Sequence, residues 1–309
     1  MAVDGRSVAV IGEALVDLVW PNGSTTLSAH AGGSPANVAL GLQRLDRPVT
    51  LVTTWGDDAP GALVAKHLAA AGLRVRRAPD ASGRTMIALA HVDRGTGAAD
   101  YDFLTAWDPV ELPLEPEVTL LHTGSLAVVV QPGATRVVET CAAFRSEPGR
   151  AVSVDLNVRP AVQPDRDAYR SAAERIVRVA DVVKASDEDL GWLWPDRTPE
   201  EAARALLELG PRLVVVTRGG AGALALTDRH RAEIPAPQVT VVDTIGAGDA
   251  FESALLDGLF GSEGVRLPES AAELTALLRR CAAAGALACT RAGAQPPTRE
   301  ELAAALRQP

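Results

Sequence analysis

Short runs of apolar residues alternate along the chain with longer segments in which apolar residues recur every three or four positions. The runs Val8–Ile11, Val49–Thr54, Val118–Thr123 and Leu213–Thr217 have the length of buried strands, whereas Gly61–Ala71 has the spacing of a helix. Strands that alternate with helices favour a mostly parallel sheet covered on both faces. The pattern therefore predicts an α/β protein with a doubly wound sheet.

This alternation is interrupted where two strand-like segments, Thr85–Val92 and Asp100–Phe103, follow each other without a helix between them. They predict a hairpin outside the main sheet; an extra antiparallel edge of that sheet is the alternative. Residues from about 13–30 and 84–105 are expected to form a small β lid over a cleft. The whole chain, 1–309, is expected to be a single α/β domain that carries this lid.

The stretch 238–251, QVTVVDTIGAGDAF, joins a predicted buried strand at 239–242 to the apolar pattern of a helix. Gly246–Gly248 would then lie where the helix begins. Free N–H groups and the helix dipole at that end favour an anion such as phosphate. A carboxylate there, Asp249, would repel phosphate unless it has a task such as accepting a proton. An ordinary N-terminal helix acid is the alternative.

A second glycine-rich stretch, AGGSPAN, precedes another helical pattern. Ser34 is suited to the N-cap and Pro35 to the first helical position. Gly32 and Gly33 would let the backbone approach a ligand closely, and the amide of Asn37 can both donate and accept hydrogen bonds. Local capping alone does not explain these three residues together, so the stretch indicates a binding site for hydroxyl groups.

Polar residues also stand within or directly after predicted strands elsewhere. Asp17 interrupts an apolar segment and could accept hydrogen bonds from hydroxyl groups of a ligand, although a surface-facing strand position would also explain it. Asp155, Asn157 and Arg159 leave one strand end together, with a surface loop as the alternative. In open α/β sheets, ligands bind at the carboxyl ends of the strands.

Composition narrows the classes of partner. The 309 residues are 47% hydrophobic and carry a net charge of −9, which argues against nucleic acid or an anionic membrane as partner. The three cysteines, at positions 141, 281 and 289, show no metal-ligand spacing and suit a cytoplasmic protein. The N-terminus shows no signal-peptide pattern, and no apolar run reaches the length of about 18 residues expected of a membrane span.

The string Asp243-Thr-Ile-Gly-Ala-Gly-Asp249 resembles the C-terminal signature of the ribokinase-like, or PfkB, carbohydrate kinases. Gly32–Asn37 resembles the N-terminal signature of the same family, and further motifs extend the resemblance from about residue 8 to 300. The resemblance implies a ribokinase-like three-layer sandwich with a small β lid. It also implies transfer of the γ-phosphoryl group of ATP to a primary hydroxyl of a sugar.

The resemblance assigns roles to the residues of these motifs. Asp249 would be the base that activates the sugar, beside the amides of Gly246, Ala247 and Gly248. The sugar would be held by Asp17, Gly32, Gly33, Asn37 and Arg159. The nucleotide would lie along Ser186, Thr217, Gly219 and Gly222 as well as Gly246 and Gly248. A magnesium ion would be positioned, through water, by Asp189, Glu188 and Asn157.

One motif departs from the family. Ser186-Asp-Glu-Asp189 resembles the family's Asn-x-x-Glu metal motif, with serine and aspartate in place of asparagine and glutamate. The change shortens the acidic arm and replaces an amide with a hydroxyl. Thr217-x-Gly219-x-x-Gly222 resembles the family's nucleotide turn without such a departure.

Fructose, converted to fructose 6-phosphate, is the first expectation for the substrate. Leu121–Ala127 and Tyr101–Phe103 look most like the corresponding segments of fructokinases. 2-Keto-3-deoxygluconate is the rival because Arg159 could pair with its carboxylate in a bidentate manner. Ribose and nucleosides are the next candidates for the substrate. ATP and Mg²⁺ are the implied cofactors, and a monovalent cation such as K⁺ stays open because backbone carbonyl ligands leave no mark in a sequence.

The sequence disfavours two other classes of protein. A dinucleotide-dependent oxidoreductase predicts Gly-x-Gly-x-x-Gly after the first strand, where this chain has Gly12-Glu-Ala-Leu. A non-catalytic sugar-sensing relative is disfavoured by the presence of Asp249. An exposed edge of the lid could pair with a second subunit, so a homodimer is expected.

Overall fold

The computed structural model describes residues 5–92, 99–261 and 264–307. Its strands are β1 (Ser7–Ile11), β2 (Leu15–Pro21), β3 (Ser28–Gly32), β4 (Val49–Thr53), β5 (Arg74–Arg77), β6 (Met86–Val92), β7 (Ala99–Leu104), β8 (Val118–Gly124), β9 (Ala151–Asp155), β10 (Val182–Ser186), β11 (Leu213–Thr217), β12 (Ala223–Leu226), β13 (Arg231–Ile234), β14 (Phe260–Gly261) and β15 (Gly264–Val265). Its helices are α1 (Ser34–Arg44), α2 (Ala59–Ala70), α3 (Gly133–Arg145), α4 (Arg166–Val177), α5 (Asp187–Leu193), α6 (Pro199–Glu208), α7 (Ala247–Leu259), α8 (Ala271–Cys289) and α9 (Arg299–Ala305).

Within the described residues the largest sheet has nine strands in the order β13-β12-β11-β10-β9-β8-β1-β4-β5. The strands from β11 to β5 are parallel, and β12 and β13 continue the sheet in the antiparallel sense. Strands buried on both faces need apolar residues at every position, which explains runs such as LVVVT in β11. The predicted α/β sheet is confirmed.

Helices cover this sheet on both faces. One face buries residues of α3, α4, α5 and α6 around Trp107, which is 1% exposed. The other face buries residues of α1 and α2 in one cluster and of α7, α8 and α9 in another. The result is three layers, and the parallel strands all point their carboxyl ends to one edge. No helix within the described residues is long and apolar enough to cross a bilayer.

A second sheet contains four described strands in the order β3-β2-β6-β7. β2 and β6 are parallel, whereas β3 and β7 pair with them in the antiparallel sense and form the two edges. The hairpin of β6 and β7 thus lies outside the main sheet, and the residues 93–98 that connect its strands lie outside the described residues. Its action as a lid stays a prediction.

The prediction of a buried strand at residues 239–242 is wrong. This segment is irregular, and Val239, Val241 and Val242 are 39%, 59% and 63% exposed. The preceding strand, β13, ends at Ile234 and is followed by Pro235 and Pro237, which cannot donate to a sheet ladder. Instead, the N–H groups of Val242 and Asp243 both donate to the carbonyl of Cys289 at the end of α8.

The predicted N-cap of α1 is also wrong by one position. Gly33 is the N-cap, with φ 110° and ψ 125°, and Ser34 is the first helical residue. A Cβ at Gly33 would lie 2.5 Å from the carbonyl oxygen of Glu13, so both the positive φ and the close approach require glycine there. Pro35 is consequently the second helical residue, and the Ser34 hydroxyl is free for another partner.

Candidate active site

A cleft of about 400 Å³ opens where β9, β10 and β11 end. Parallel strands bring their carboxyl ends to one edge, so loops that are distant in the sequence meet there. Eight of the residues predicted for the site line this cleft: Asn157, Arg159, Ser186, Glu188, Asp189, Thr217, Gly248 and Asp249. Four separate segments of the chain therefore contribute to one cleft.

The start of α7 lies in the wall of the cleft. Gly246 is the N-cap with φ 75°, and a Cβ there would lie 2.7 Å from the Cβ of Ala294. Glycine is thus needed both for the left-handed backbone and for space. Ala247 is the first helical residue. Among the described residues no hydrogen bond engages the N–H groups of Gly248 and Asp249, so the turn presents two amide donors to an anion.

The Asp249 carboxylate is held by two side chains from α1. The Ser34 hydroxyl donates to Oδ1 at 2.6 Å, and the Asn37 amide donates to Oδ2 at 2.8 Å. These bonds join the two glycine-rich stretches, which lie more than 200 positions apart in the chain. The carboxylate is consequently fixed in orientation beside the free amides of α7.

Asp17, in β2, lies near enough to Asp249 for the charges of the two carboxylates to interact. Burial raises its pKa to about 6, while the charges of His30 and Arg159 act to lower the pKa and that of Asp249 to raise it. Any side chain in place of Gly32 would collide with the Asp17 carboxylate. Asp17, Gly32, Gly33 and Asn37 are not among the residues that line the cleft, but Asn37 contacts Asp249 and Gly32 lies beside the Asp17 carboxylate.

Arg159 follows β9 and lines the cleft. Its backbone N–H donates to the Tyr169 hydroxyl at 3.0 Å, and its Nη1 donates to the Val158 carbonyl at 3.0 Å. Among the described residues its guanidinium forms no salt bridge, although its charge acts on Asp17 and Glu13. A half-buried guanidinium that has no salt-bridge partner among the described residues can bind an anionic or hydroxyl group of a ligand.

Both oxygens of the Asp189 carboxylate accept hydrogen bonds from backbone N–H groups. Its Oδ1 accepts from the N–H of Val158 at 2.7 Å, and its Oδ2 accepts from the N–H of Ser186 at 2.8 Å. Ser186 in turn caps α5 by accepting from the Asp189 N–H. The shortened acid thus forms a capping box and ties two strand ends together. A direct bond to a metal ion would compete with these contacts, so a role through water stays a prediction.

The other two residues predicted to position a metal ion are Glu188 and Asn157. Glu188 is exposed at the cleft, and Asn157 adopts φ 38° in the loop after β9. No cluster of three or more His, Cys, Asp or Glu side chains that could hold a metal ion occurs within the described ranges. These residues fit the shell of an ion that arrives with phosphates and keeps its own waters, rather than a dedicated metal cage.

The predicted nucleotide turn follows β11. Thr217 lines the cleft, whereas Gly219 and Gly222 are not among the residues that line it. Their φ angles of 48° and 101° close a tight turn in which the Arg218 N–H donates to the Gly222 carbonyl at 2.8 Å. A side chain at Gly222 would collide with the Ile234 carbonyl. The turn therefore presents backbone, rather than side chains, beside the strand end.

The sequence did not predict a group of buried charges at the floor of the cleft, although it singled out one member, Asp155, at the end of β9. Lys184 Nζ lies 2.6 Å from Asp155 Oδ2, and both side chains are buried. His122 and Ser153 contact the Glu252 carboxylate, which is fully buried on α7. Burial acts to lower the pKa of Lys184, but the carboxylates of Asp155 and Glu252 raise it above its ordinary value. The feature of the sequence that could have indicated this group is the lysine inside the apolar run of β10.

Glu13 was missed as well. It lies two residues after the end of β1 and is 2% exposed, and burial raises its pKa to about 7 even though Ser125 and backbone amides act to lower it. Its Oε2 has no hydrogen-bond partner within the described structure. The sequence signal was a glutamate directly after the glycine that ends the first apolar run.

The family model described as pfkB family carbohydrate kinase matches residues 6–301. The chain is 33% identical to a fructokinase of Klebsiella pneumoniae over 293 residues, covering 92% of this chain and 94% of that protein. Superposition on the fructokinase of Vibrio cholerae O395 with bound fructose, ADP and calcium gives a TM-score of 0.81 at 28% identity, covering 98% and 100% of the two chains. A ribokinase from Thermotoga maritima shares the fold, with a TM-score of 0.74 at 23% identity over 98% and 100% of the chains.

Proposed function

The chain belongs to the pfkB family of carbohydrate kinases, and we propose that it is an ATP-dependent fructokinase that forms fructose 6-phosphate. The predicted family and the ribokinase-like fold are confirmed. One observation carries the proposal: the Asp249 carboxylate lies beside two free amides of a helix start, in a cleft at the strand ends. The similarity to fructokinases of two organisms supports fructose as the acceptor.

Phosphoryl transfer needs positioning and charge stabilisation more than covalent chemistry by the protein. The free N–H groups of Gly248 and Asp249 would hold the transferred group at the helix start, whereas the N–H of Ala247 donates to the Thr244 carbonyl. Asp249 would accept the proton of the attacking primary hydroxyl as the new bond to phosphorus forms. Asp17, Asn37 and Arg159 would hold the remaining hydroxyl groups of the sugar.

ATP would lie along Ser186, Thr217 and the turn of Gly219 and Gly222, with its terminal phosphate toward Gly248. Mg²⁺ would arrive with the nucleotide, and Glu188 and Asn157 would orient its waters while Asp189 holds the two strand ends in place. When bound, the ion would neutralise charge on the phosphates. Loss of activity in EDTA, restored by Mg²⁺, tests this requirement.

2-Keto-3-deoxygluconate is the second candidate acceptor. The observation that favours it is the Arg159 guanidinium, which lines the cleft and forms no salt bridge within the described structure. A guanidinium can bind a carboxylate through two parallel hydrogen bonds, which fructose cannot offer. The similarity to proteins named fructokinase weighs more, so fructose remains the first choice.

The test is an ATP-depletion assay with Mg²⁺ over fructose, 2-keto-3-deoxygluconate, ribose and glucose, with ³¹P NMR to identify the phosphorylated carbon. We expect the highest kcat/KM with fructose and a product phosphorylated at C6. A higher kcat/KM with the keto acid would identify 2-keto-3-deoxygluconate, rather than fructose, as the substrate. No ATP consumption with any sugar would contradict a kinase and favour a sugar-binding relative without activity.

Because the phosphoryl donor is ATP, we infer a cytoplasmic location, which cell fractionation with an antibody would test. We also infer a homodimer that forms through the four-stranded sheet. That sheet presents exposed apolar side chains and two edge strands to solvent, and such features support pairing with a second copy.

A further inference from the structure

Lys184 lies on the floor of the cleft, at the third position of β10. Its Nζ is 2.6 Å from Asp155 Oδ2, and the residues are 4% and 2% exposed. In the parallel ladder Lys184 pairs in register with Asp155 of β9, although 29 positions separate them in the chain. The register therefore fixes a buried ammonium at the floor of the cleft.

The same ammonium faces the start of α7. A Cβ built on Gly248 would lie 3.8 Å from Lys184 Nζ, and no other atom outside the helix comes within 4 Å of that position. The N–H groups of Gly248 and Asp249, free within the described structure, are next to it. An ammonium and two amide donors thus converge on one point of the cleft, and all three attract the same kind of group, an anion.

The surrounding charges show why a cation is needed there. Lys184 interacts with the carboxylates of Asp155, Glu252 and Asp189, and Asp249 lines the same cleft. A phosphoryl group that enters this region meets acidic side chains at short range, where repulsion in a buried site is far stronger than in water. An ammonium beside Gly248 would offset that repulsion for a phosphoryl group bound there.

The choice of lysine is itself informative. Of the 30 lysine and arginine residues in the chain, two are lysines, Lys66 and Lys184, and Lys66 is exposed on α2. A compact ammonium with three donors can keep its bond to Asp155 and still direct an N–H to a ligand. A planar guanidinium is larger and would not fit this buried space in the same way.

We propose that the Lys184 ammonium contacts the transferred phosphoryl group and stabilises the charge on its oxygens during transfer, with Asp155 as the positioning residue. This role rests on the proposed kinase function. The bond from the sugar oxygen to phosphorus forms as the bond from phosphorus to the leaving oxygen of ADP breaks, and Asp249 receives the hydroxyl proton. Lys184 stays protonated throughout and contributes its charge and hydrogen bonds.

The experiment compares Lys184→Met with Asp155→Asn in the full-length protein. Both changes break the ion pair, but only the first removes the ammonium. Loss of one donor to a transition-state oxyanion typically costs on the order of 10²–10³ in kcat. We expect a loss of that size for Lys184→Met, with the dissociation constant for fructose changed by only a few-fold, and a loss below about tenfold for Asp155→Asn.

A binding measurement separates contact with the phosphoryl group from a structural role. Isothermal titration with ADP and with the non-hydrolysable analogue AMP-PNP, both with Mg²⁺, gives the preference for a nucleotide that carries a γ-phosphate. Lys184→Met should reduce this preference by about tenfold or more, since it removes one charge-assisted hydrogen bond to that group. Lys66→Met is the matched control and should leave both readouts unchanged.

Removing one partner of a buried ion pair can unfold a protein. If circular dichroism shows that Lys184→Met is unfolded, the double variant Lys184→Met/Asp155→Asn removes both charges and should show the same loss of kcat. Equal losses for Lys184→Met and Asp155→Asn, with an unchanged nucleotide preference, would overturn the proposal. A wild-type protein that phosphorylates no sugar would remove the proposed function, whereas the nucleotide preference tests Lys184 in either case.

Discussion

The carboxylate of Asp249 is the best-defined side chain of the cleft, because Ser34 and Asn37 each donate to one of its oxygens. Asp249→Asn keeps the size of the side chain but cannot accept a proton. We expect kcat to fall on the order of 10²–10⁴, the usual cost of losing a general base, which corresponds to roughly 3–5 kcal/mol. The dissociation constants for ATP and fructose should change only a few-fold.

Single-turnover kinetics isolate the chemical step for this variant. Asp228→Asn is a suitable control, because Asp228 is exposed on the turn between β12 and β13. A rate for Asp249→Asn within about threefold of wild type would show that another group accepts the proton.

Glu13 predicts an unusual dependence of stability on pH. Its pKa in the folded protein is raised to about 7 by burial, above the ordinary value of 4.5. The folded state therefore binds more protons than the unfolded state between these values, so the stability from this residue falls as pH rises from 4.5 to 7. The full loss is roughly 3 kcal/mol at 1.36 kcal/mol per pH unit.

Glu13→Gln removes the titration while keeping the shape of the side chain. Urea unfolding between pH 4.5 and 8 should show that the variant loses less stability than the wild type as pH rises. Parallel stability curves for the two proteins would contradict a raised pKa at Glu13.

Several side chains could be assigned to the site from the sequence because their motifs are continuous in the chain. Gly246–Asp249 and Gly32–Asn37 are examples, and the structure brings them together. Contacts between distant segments could not be predicted in this way. Lys184 meets Asp155 only because β9 and β10 pair in one particular register, which depends on the packing of the whole sheet.

At the scale of the elements, the second sheet connects Asp17, which we propose to hold the sugar, to the β6–β7 hairpin. Asp17 of β2 pairs in register with Ala88 of β6, which in turn pairs with Phe103 of β7. A sugar held at Asp17 should therefore restrict motion in β6 and β7, and such closure would exclude water from ATP. We expect slower amide hydrogen exchange in both strands at saturating fructose.

The strand β11 serves as the internal control, because it is buried in the main sheet and should exchange slowly with or without sugar. Exchange in β6 and β7 that does not change on addition of fructose would remove the lid assignment while leaving the kinase assignment in place.

Regular elements were predictable where residue pattern and packing agree. The apolar runs of β1, β4, β8 and β11 became buried parallel strands, since both faces of the main sheet are covered. The valines at 239–242 show where such reasoning fails. An apolar run forms a strand only when a sheet edge is available to pair with it, and prolines after β13 carry the chain away from that edge.

At the scale of the whole molecule, the four-stranded sheet is the surface best suited to a second copy. The strand register places two exposed apolar side chains, Trp20 and Leu104, on one face of this sheet, and they are 39% and 67% exposed. Its edge strands β3 and β7 also have unpaired backbone groups that a second sheet could satisfy.

Burial of this apolar surface would stabilise a dimer by the hydrophobic effect, at about 25 cal/mol for each Å² removed from water. We therefore expect light scattering coupled to size exclusion to give a mass near twice the 32.2 kDa of one chain. Leu104→Glu places a charge in the most exposed of these positions and should shift the protein toward the monomer. Leu306→Glu, at a residue that is 41% exposed beyond the end of α9, introduces the same charge elsewhere and should leave the mass unchanged. A wild-type mass near one chain, or equal dissociation by both variants, would show that the sheet does not form the interface.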